Sequence, residues 1–484
     1  MASYQRPLKV AFFSPLPPER SGISDYSREL LPFLSRWMDV HLFVDDYMIS
    51  DQDFEQSFPV WSYRDFPWRW AYHGYDCVVY QMGNNRVHRY MYPYIARFPG
   101  VLVLHDQVLH HFLLGAAFEE GSPGVYMREM TYAYGDAGAR MAWDVLTGGR
   151  PAPLFQLPLS ERSVNASLAV IAHSQHLADW VHQVAPGVPV QVVPMGIPLP
   201  EAHGTKDAIR KSLGLPQKSV VLASFGEATH HKRIPAVLDA VAQLLLDDVD
   251  VYYVVVGNVA PDLDILGAAR SLGIANKVRV TGHVSHHKYQ EYLNAVDVCV
   301  NLRFPTAGET SASALKSMAA GLPTIVSDVG ANAELPDSVC FKLPVDAMEP
   351  HLLAGVLRHL ADHPELRIRL GQQARRYVSQ RHSLTQAAQG YAGFLEQLVR
   401  QPQLLERGLR KRGTRGSNAA SLLAADNQRG MPLDSLLLAD VAGAIGGLGF
   451  TRRDLELLDT LGSGLADMGI YRDADDRTGG SSTP

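Results

Sequence analysis

The chain has 484 residues, 46% of them hydrophobic and 19% charged, with a formal net charge of −6. That length exceeds one ordinary core, so two main domains plus extras are expected. The balance is that of a globular protein, and the negative charge argues against nucleic acid as a partner. The three cysteines, Cys77, Cys299 and Cys340, lie far apart, two of them inside strand-like runs. They read as small core residues, neither a disulfide framework nor a zinc site. The start, Met1-Ala-Ser-Tyr-Gln-Arg6, has no signal-peptide apolar core, and no uncharged apolar run is long enough to span a bilayer. A cytoplasmic location is the expectation.

In chain order, residues 9–14 are a buried strand, 15–24 a turn-rich loop, and 25–37 an amphipathic helix. Tyr26, Leu30, Leu31, Phe33 and Leu34 make its apolar side. A second strand spans 40–44. Strand, glycine loop, helix, strand is a Rossmann-like opening. It lacks the three-glycine dinucleotide fingerprint, so no NAD is expected. Gly22 either lets the backbone approach a ligand at the strand end or is a plain turn glycine.

Residues 61–75 hold Trp61, Tyr63, Phe66, Trp68, Trp70, Tyr72 and Tyr75, with Arg64 and Arg69 between them. The stripe reads as a helix packed on the sheet; a membrane-facing or acceptor-facing surface is the alternative. Strands at 76–82 and 101–104 follow. The first ends in Gly83-Asn84-Asn85, and the second delivers His105-Asp106 to the same edge. In open parallel sheets the carboxyl ends of strands carry the site. A His-Asp pair there can hydrogen-bond a sugar and hold the imidazole tautomer; a histidine satisfied in the core is the alternative. His110 and His111 suit a supporting or solvated role better than a metal cluster. Residues 119–146 read as a helical insertion that could roof an acceptor pocket. Strand 168–172 runs into His173-Ser174, whose serine suits a helix N-cap. Strand 190–193, closed by Pro194-Met-Gly196, ends a first domain spanning 1–196.

The second domain spans 197–401. After a linker helix at 207–213, strands at 220–225, 251–256, 278–281, 296–300 and 324–326 alternate with helical patterns at 235–246, 263–272 and 287–295. This is a second parallel α/β domain. Its first strand ends in the loop 226–233, which places Lys232 and Arg233 at the carboxyl edge. Asp248/Asp250 and Asp262/Asp264 look like the metal-holding carboxylate pair of some nucleotide-sugar enzymes. Acids at alternate positions recur by chance, and 248–250 sits at the wrong end of its strand, so no metal is expected.

The stretch 303–328 is the most informative: strand end, polar turn, helix, tight turn, buried strand. The turn Thr306-Ala-Gly308-Glu309-Thr310-Ser311 is small and hydroxylated. Such residues let backbone N–H groups near a ligand and cap the helix at 312–320. A helix N-terminus is an anion site; an ordinary crossover is the alternative. Helical text over 364–396 closes the domain, its last helix crossing back to the first. The third segment, 402–484, holds a basic run at 407–415 that reads as a solvated linker. A glycine-broken helical segment and a polar, disordered end follow.

In this order and spacing the motifs resemble the retaining nucleotide-sugar glycosyltransferases of family four, or group 1, over roughly residues 8–400. The resemblance rests on the Gly22 loop, His105-Asp106, Pro194-Met-Gly196-Ile, the loop from Gly226 to Lys232, Val254-Val-Val-Gly257, Val280-Thr-Gly282-His-Val and 308–328. It implies a GT-B fold: two Rossmann-like parallel-sheet domains facing across a cleft, here with a C-terminal helical extension. It implies transfer of a sugar from a nucleotide diphosphate sugar to a sugar, lipid or small-molecule acceptor, with retention and with no cofactor or metal. Peripheral membrane contact is left open. It puts His105 and Lys232 in catalytic roles and Gly22, Arg233, Gly308, Glu309, Thr310, Ser311 and Lys316 at the donor; Arg303 joins these donor candidates by its own position, between strand 296–300 and the 308–311 turn.

The chain departs from the family where two glutamates usually stand eight positions apart, at Gly308 and Lys316, with Glu309 one step off. The family's phosphate-binding arginine falls at Glu227, while its lysine is kept as Lys232. A subgroup with Gly-Glu-Thr-Ser at the helix start is similar to this chain. A departing diphosphate would be stabilised by Lys232, by Arg233 or Arg303, and by N–H groups near Thr310 and Ser311. No paired carboxylates support hydrolysis through a carboxylate nucleophile. What the resemblance implies instead is a front-face mechanism, with His105 holding the donor sugar. Glu227, Gly308 and Lys316 motivate the alternative of a non-catalytic nucleotide-sugar-binding protein. A GT-B epimerase or phosphorylase is another.

Overall fold

A computed structural model describes residues 6–401, apart from 120 and 201–203. The linker, helical segment and polar end expected within 402–484 lie outside the described residues. Strands β1 (Leu8–Phe13), β2 (Met38–Val44), β3 (Val60–Ser62), β4 (Cys77–Met82), β5 (Val101–Leu104), β6 (Ala169–Ala172) and β7 (Val190–Val192) form one sheet in the order β3-β2-β1-β4-β5-β6-β7. Strands β8 (Val220–Phe225), β9 (Val251–Val256), β10 (Val278–Val280), β11 (Val298–Asn301), β12 (Thr324–Ser327) and β13 (Phe341–Leu343) form the second, ordered β10-β9-β8-β11-β12-β13. Every pairing is parallel.

Helices cover such sheets on both faces, so the central strands read as unbroken apolar runs, as in Val251–Val256. Strand order reverses between β1 and β4 in the first sheet and between β8 and β11 in the second. A crevice opens at the carboxyl ends on either side of such a reversal. These are the two Rossmann-like domains of the GT-B architecture.

The sequence reading lacks β3 and β13, edge strands of three residues each. They are too short to show a period. The aromatic stripe at 61–75 divides into β3, one 3-10 turn and the helix Phe66–His73. Phe66 packs on Phe13 and Phe43, while Trp68 and Tyr72 stay exposed, so the stripe is packed along one side only.

The last helix, Leu384–Arg400, crosses back and packs on the helix Gly22–Leu34. Tyr391 and Leu395 join Val10 and Phe12 in the first sheet's core. Gly196 makes the approach close: a Cβ there would lie 2.9 Å from Leu384 Cα. Two charged contacts also join the domains. Lys316 Nζ lies 2.7 Å from Glu29 Oε1. The Glu334 carboxylate accepts the main-chain N–H groups of Gln175 and His176, at 3.0 and 2.5 Å. A carboxylate at a helix N-terminus meets the positive dipole end.

Side chains of Lys316 and Glu29 are 16% and 14% exposed, so removing one strands the other in a poorly solvated place. Glu29→Gln and Lys316→Met should each lower the urea midpoint, and the double variant should cost less than their sum. Strict additivity of the two losses would show that the ions are not coupled.

Candidate active site

The loop between β11 and the helix Ala312–Ala319 builds the site. Arg303 N donates to Ser327 Oγ at 2.9 Å. Phe304 N donates to the His231 carbonyl at 2.7 Å, which ties this loop to the one after β8. The chain then reaches the first domain, where Val108 N donates to the Ala307 carbonyl at 3.1 Å. Gly308 has φ +77°, and a Cβ there would fall 2.5 Å from Gln107 Cβ. Glycine is therefore demanded twice, by conformation and by contact. No side chain fits at this position while the loop is docked, and the carboxylate sits one residue later.

Glu309 Oε1 accepts from Arg303 Nη1. Its Oε2 accepts from Thr306 Oγ1 at 3.1 Å, and Thr306 Oγ1 accepts from Gly308 N at 3.0 Å. Ser311 caps the helix by accepting from Ala314 N at 3.3 Å and donates to Asn301 Oδ1 at 2.9 Å. Thr310 Oγ1 is buried without a partner. It borders a cavity of about 100 Å³ shared with His173, Ser174 and Glu334, room for about three waters at ~30 Å³ each.

Cations gather beside this loop. Lys232 Nζ donates to the Phe225 carbonyl at 3.0 Å, and a Cβ on Gly226 would stand 2.9 Å from Nζ. Burial, then the nearby Arg303, pushes Lys232 down to about 7. Arg303 is itself pushed down to about 10 by burial, against the pull of Asp106. Its Nε is buried and unpartnered. His231 is pushed down to about 4 by burial, then by Arg303 and Lys232. On the facing edge, burial pushes Asp106 up to about 6, opposed by the Asn84 N–H at 2.7 Å and by Arg303. Positive groups held at a desolvated edge favour an anion that neutralises them.

The expected His105–Asp106 pair does not form. Successive residues leaving a strand point to opposite sides. His105 turns inward, its Nε2 2.6 Å from Gln81 Oε1, while Asp106 turns to Asn84 and Arg303. The structure brings Lys232, Arg303, Gly308 and Glu309 together, with Thr310 and Ser311 at the helix start. Arg233 has φ 53° and pairs with the fully buried Glu349 side chain. Lys316 is held by Glu29. Gly22 opens its helix with nothing within 4 Å of a Cβ.

The sequence reading does not foresee these contacts of Asp106, Gln107, Gln81 and Glu29. Only Asp106 carried a signal, its place beside His105. His110 bonds the Leu157 carbonyl and Tyr126 hydroxyl, and His111 bonds Asn84, so both support structure. Asp250 pairs with Lys277, and Asp264 caps a helix. Among the described residues, no group of three or more His, Cys, Asp or Glu could hold a metal ion. None of their helices is long and apolar enough to cross a membrane.

Residues 205–377 match the family described as Glycosyl transferases group 1. Over that stretch the chain is similar to the group 1 glycosyltransferases. It is 30% identical over 234 residues to the D-inositol 3-phosphate glycosyltransferase of Streptosporangium roseum, covering 45% of this chain and 52% of that protein. It is 25% identical over 201 residues to the alpha-D-kanosaminyltransferase of Streptomyces kanamyceticus, covering 41% and 50%. The chain thus spans about half the length of these curated relatives. In fold it is similar to Anabaena HepE, solved in complex with UDP, with a TM-score of 0.54 at 18% identity, covering 80% of this chain and 100% of that one. It is also similar to the sucrose-phosphate synthase of Thermosynechococcus elongatus, with a TM-score of 0.57 at 16% identity, covering 81% and 99%.

The raised Asp106 gives the first domain a pH signature. The folded acid sits at about 6 against an ordinary 3.8. Stability from its neutral form is therefore present below the ordinary value and lost as pH rises through about 6. Asp106→Asn keeps a neutral acceptor for the Asn84 N–H. Its melting temperature relative to wild type should rise between pH 4 and 7. A difference that stays constant over that range would remove Asp106 from the buried charge cluster.

Proposed function

We propose that the chain transfers a hexose from a nucleotide diphosphate sugar to an acceptor hydroxyl, with retention at the anomeric carbon and without a metal. One observation carries this reading: Lys232 and Arg303 lie together at the carboxyl edge of the second sheet, where Arg303 faces Asp106 of the first. The bond from the anomeric carbon to the phosphate oxygen breaks, and a bond to the acceptor oxygen forms on the same face. The acceptor proton passes to the departing phosphate oxygen. Lys232 and Arg303 stabilise the charge growing on the diphosphate, and His105 holds the donor sugar from the first domain. HepE, solved with UDP, supports a uridine donor as the first to assay. Relatives named for D-inositol 3-phosphate and 2-deoxystreptamine supply the first acceptors.

The ion pairs Arg303–Glu309 and Lys316–Glu29 favour a second reading, a protein that binds a nucleotide sugar without turnover. Nucleotide released from UDP-, GDP- and ADP-sugars, with the anomer of the product, separates the two. Turnover should survive EDTA, and loss of activity that Mg²⁺ restores would contradict metal independence.

A charge-assisted contact to phosphate contributes roughly 1.5–3 kcal/mol. Arg303→Ala should therefore weaken nucleoside diphosphate binding ~10-fold or more, leaving the nucleoside nearly unaffected. With Lys232 at about 7, wild-type diphosphate affinity should also fall between pH 7 and 9 as that cation is lost. Calorimetric titration reads both. Equal diphosphate affinity in wild type and Arg303→Ala would sink the Arg303 assignment.

A further inference from the structure

A polar cluster lies inside the first domain beneath His105. Gln81, the fifth of six residues in β4, is fully buried. Its Oε1 lies 2.6 Å from His105 Nε2. The His105 ring is 5% exposed, met edge-on by Tyr26 at 5.5 Å and packed at a tilt on His173 at 4.9 Å. Burial, then His173 and His88, hold its pKa well below the ordinary value, so the ring is neutral and carries one N–H. Which nitrogen holds that proton depends on which way the Gln81 amide points.

Two neighbouring histidines decide the matter. His173 Nδ1 lies 2.8 Å from the Val193 carbonyl, and His88 Nδ1 lies 2.9 Å from the Gln81 carbonyl. A carbonyl only accepts, so in both rings Nδ1 carries the proton and Nε2 is a lone pair. Both Nε2 atoms are buried and unpartnered. The cluster is thus rich in acceptors and short of donors. On its far side Gln81 lies near the Tyr391 hydroxyl, whose phenol is pushed up by burial and drawn back by Tyr26 and by the Gln81 amide, although Gln81 Nε2 and the Tyr391 hydroxyl are both buried without a hydrogen-bond partner. Placing the amide NH₂ toward Tyr391 supplies a donor where acceptors are in excess, and it leaves Oε1 for His105. The reverse orientation would add one more acceptor to that side.

We infer that Gln81 is a positioning residue that fixes His105 as its Nε2–H tautomer, so that the Nδ1 lone pair accepts a hydrogen bond from a hydroxyl of the donor sugar. The second half rests on the function proposed above; the tautomer itself does not. Nδ1 has no protein partner among the described residues. His105 then acts as an acceptor and not as an acid. A hydroxyl donating to it gains electron density during transfer, where an N–H donor would withdraw it. The adjacent Asp106 plays no part in holding the ring, since it bonds Asn84.

The test is the long-range ¹H–¹⁵N spectrum of full-length protein labelled at histidine nitrogen, without substrate. His105 is assigned by the signal lost in His105→Asn. The expected result is a protonated Nε2 and a lone-pair Nδ1. A protonated Nδ1 in wild type would overturn the inference, and this spectrum requires no variant of Gln81 to fold. In Gln81→Leu the two tautomers should mix, with kcat for nucleotide release from the donor lowered about tenfold and KM little changed. In Gln81→Glu, where the carboxylate can only accept, the Nε2–H form and most of the rate should return. A His105 spectrum unchanged by Gln81→Leu would show that the amide does not set the tautomer. Absence of glycosyl transfer would remove the function while leaving the tautomer result standing.

Discussion

Arg303 is the group around which the cleft is balanced. Its guanidinium comes from the second domain, is held by Glu309 of its own loop and faces Asp106 of the first domain. An arginine out of water costs free energy unless paired on more than one side. The protein satisfies it incompletely, leaving Nε unpartnered while Lys232 stands close by. That residual positive charge is what a diphosphate would complete, and it explains why two cations can share one desolvated edge.

The docking of the loop from Arg303 to Ser311 on the first domain supplies the geometry. Gly308 touches Gln107, Ala307 accepts from Val108, and the same loop bonds the His231 carbonyl. Three elements are thereby locked together: the end of β5, the loop after β8 and the helix start after β11. Glu334 at the helix Gln175–Val184 and the Glu29–Lys316 pair hold the domains at points away from this loop. The returning helix Leu384–Arg400, with Tyr391 in the first core, fixes their register. Positioning of Lys232, Arg303 and the helix start is therefore a property of the whole interface.

Much of this architecture is legible in the residues alone. Short apolar runs such as 220–225 and 251–256, alternating with helical patterns, read as central parallel strands, and the glycine and proline punctuation after Ala320 ends a helix. The position of Lys232 follows from the strand before it. The side-chain partners do not follow. Gly308 and Gln107 lie far apart in the chain, and only folding shows that a Cβ would collide there. His105 and Asp106 are neighbours in sequence, yet strand alternation sends them to different partners. Lys316 and Arg233 carry charge at the expected edge, but Glu29 and Glu349 claim them, and no local pattern marks either acid as a partner. Strands of three residues, β3 and β13, are too short for any periodicity.

The phosphate site proposed for this cleft is Lys232 together with Arg303. A crystal structure of the chain grown with a nucleoside diphosphate, trying UDP, GDP and ADP in turn, tests it most directly. Phosphate oxygens are expected within hydrogen-bond distance of Lys232 Nζ and of the Arg303 guanidinium, beside the N-terminus of the helix Ala312–Ala319. Phosphates bound elsewhere, with the Arg303–Glu309 pair undisturbed, would contradict it.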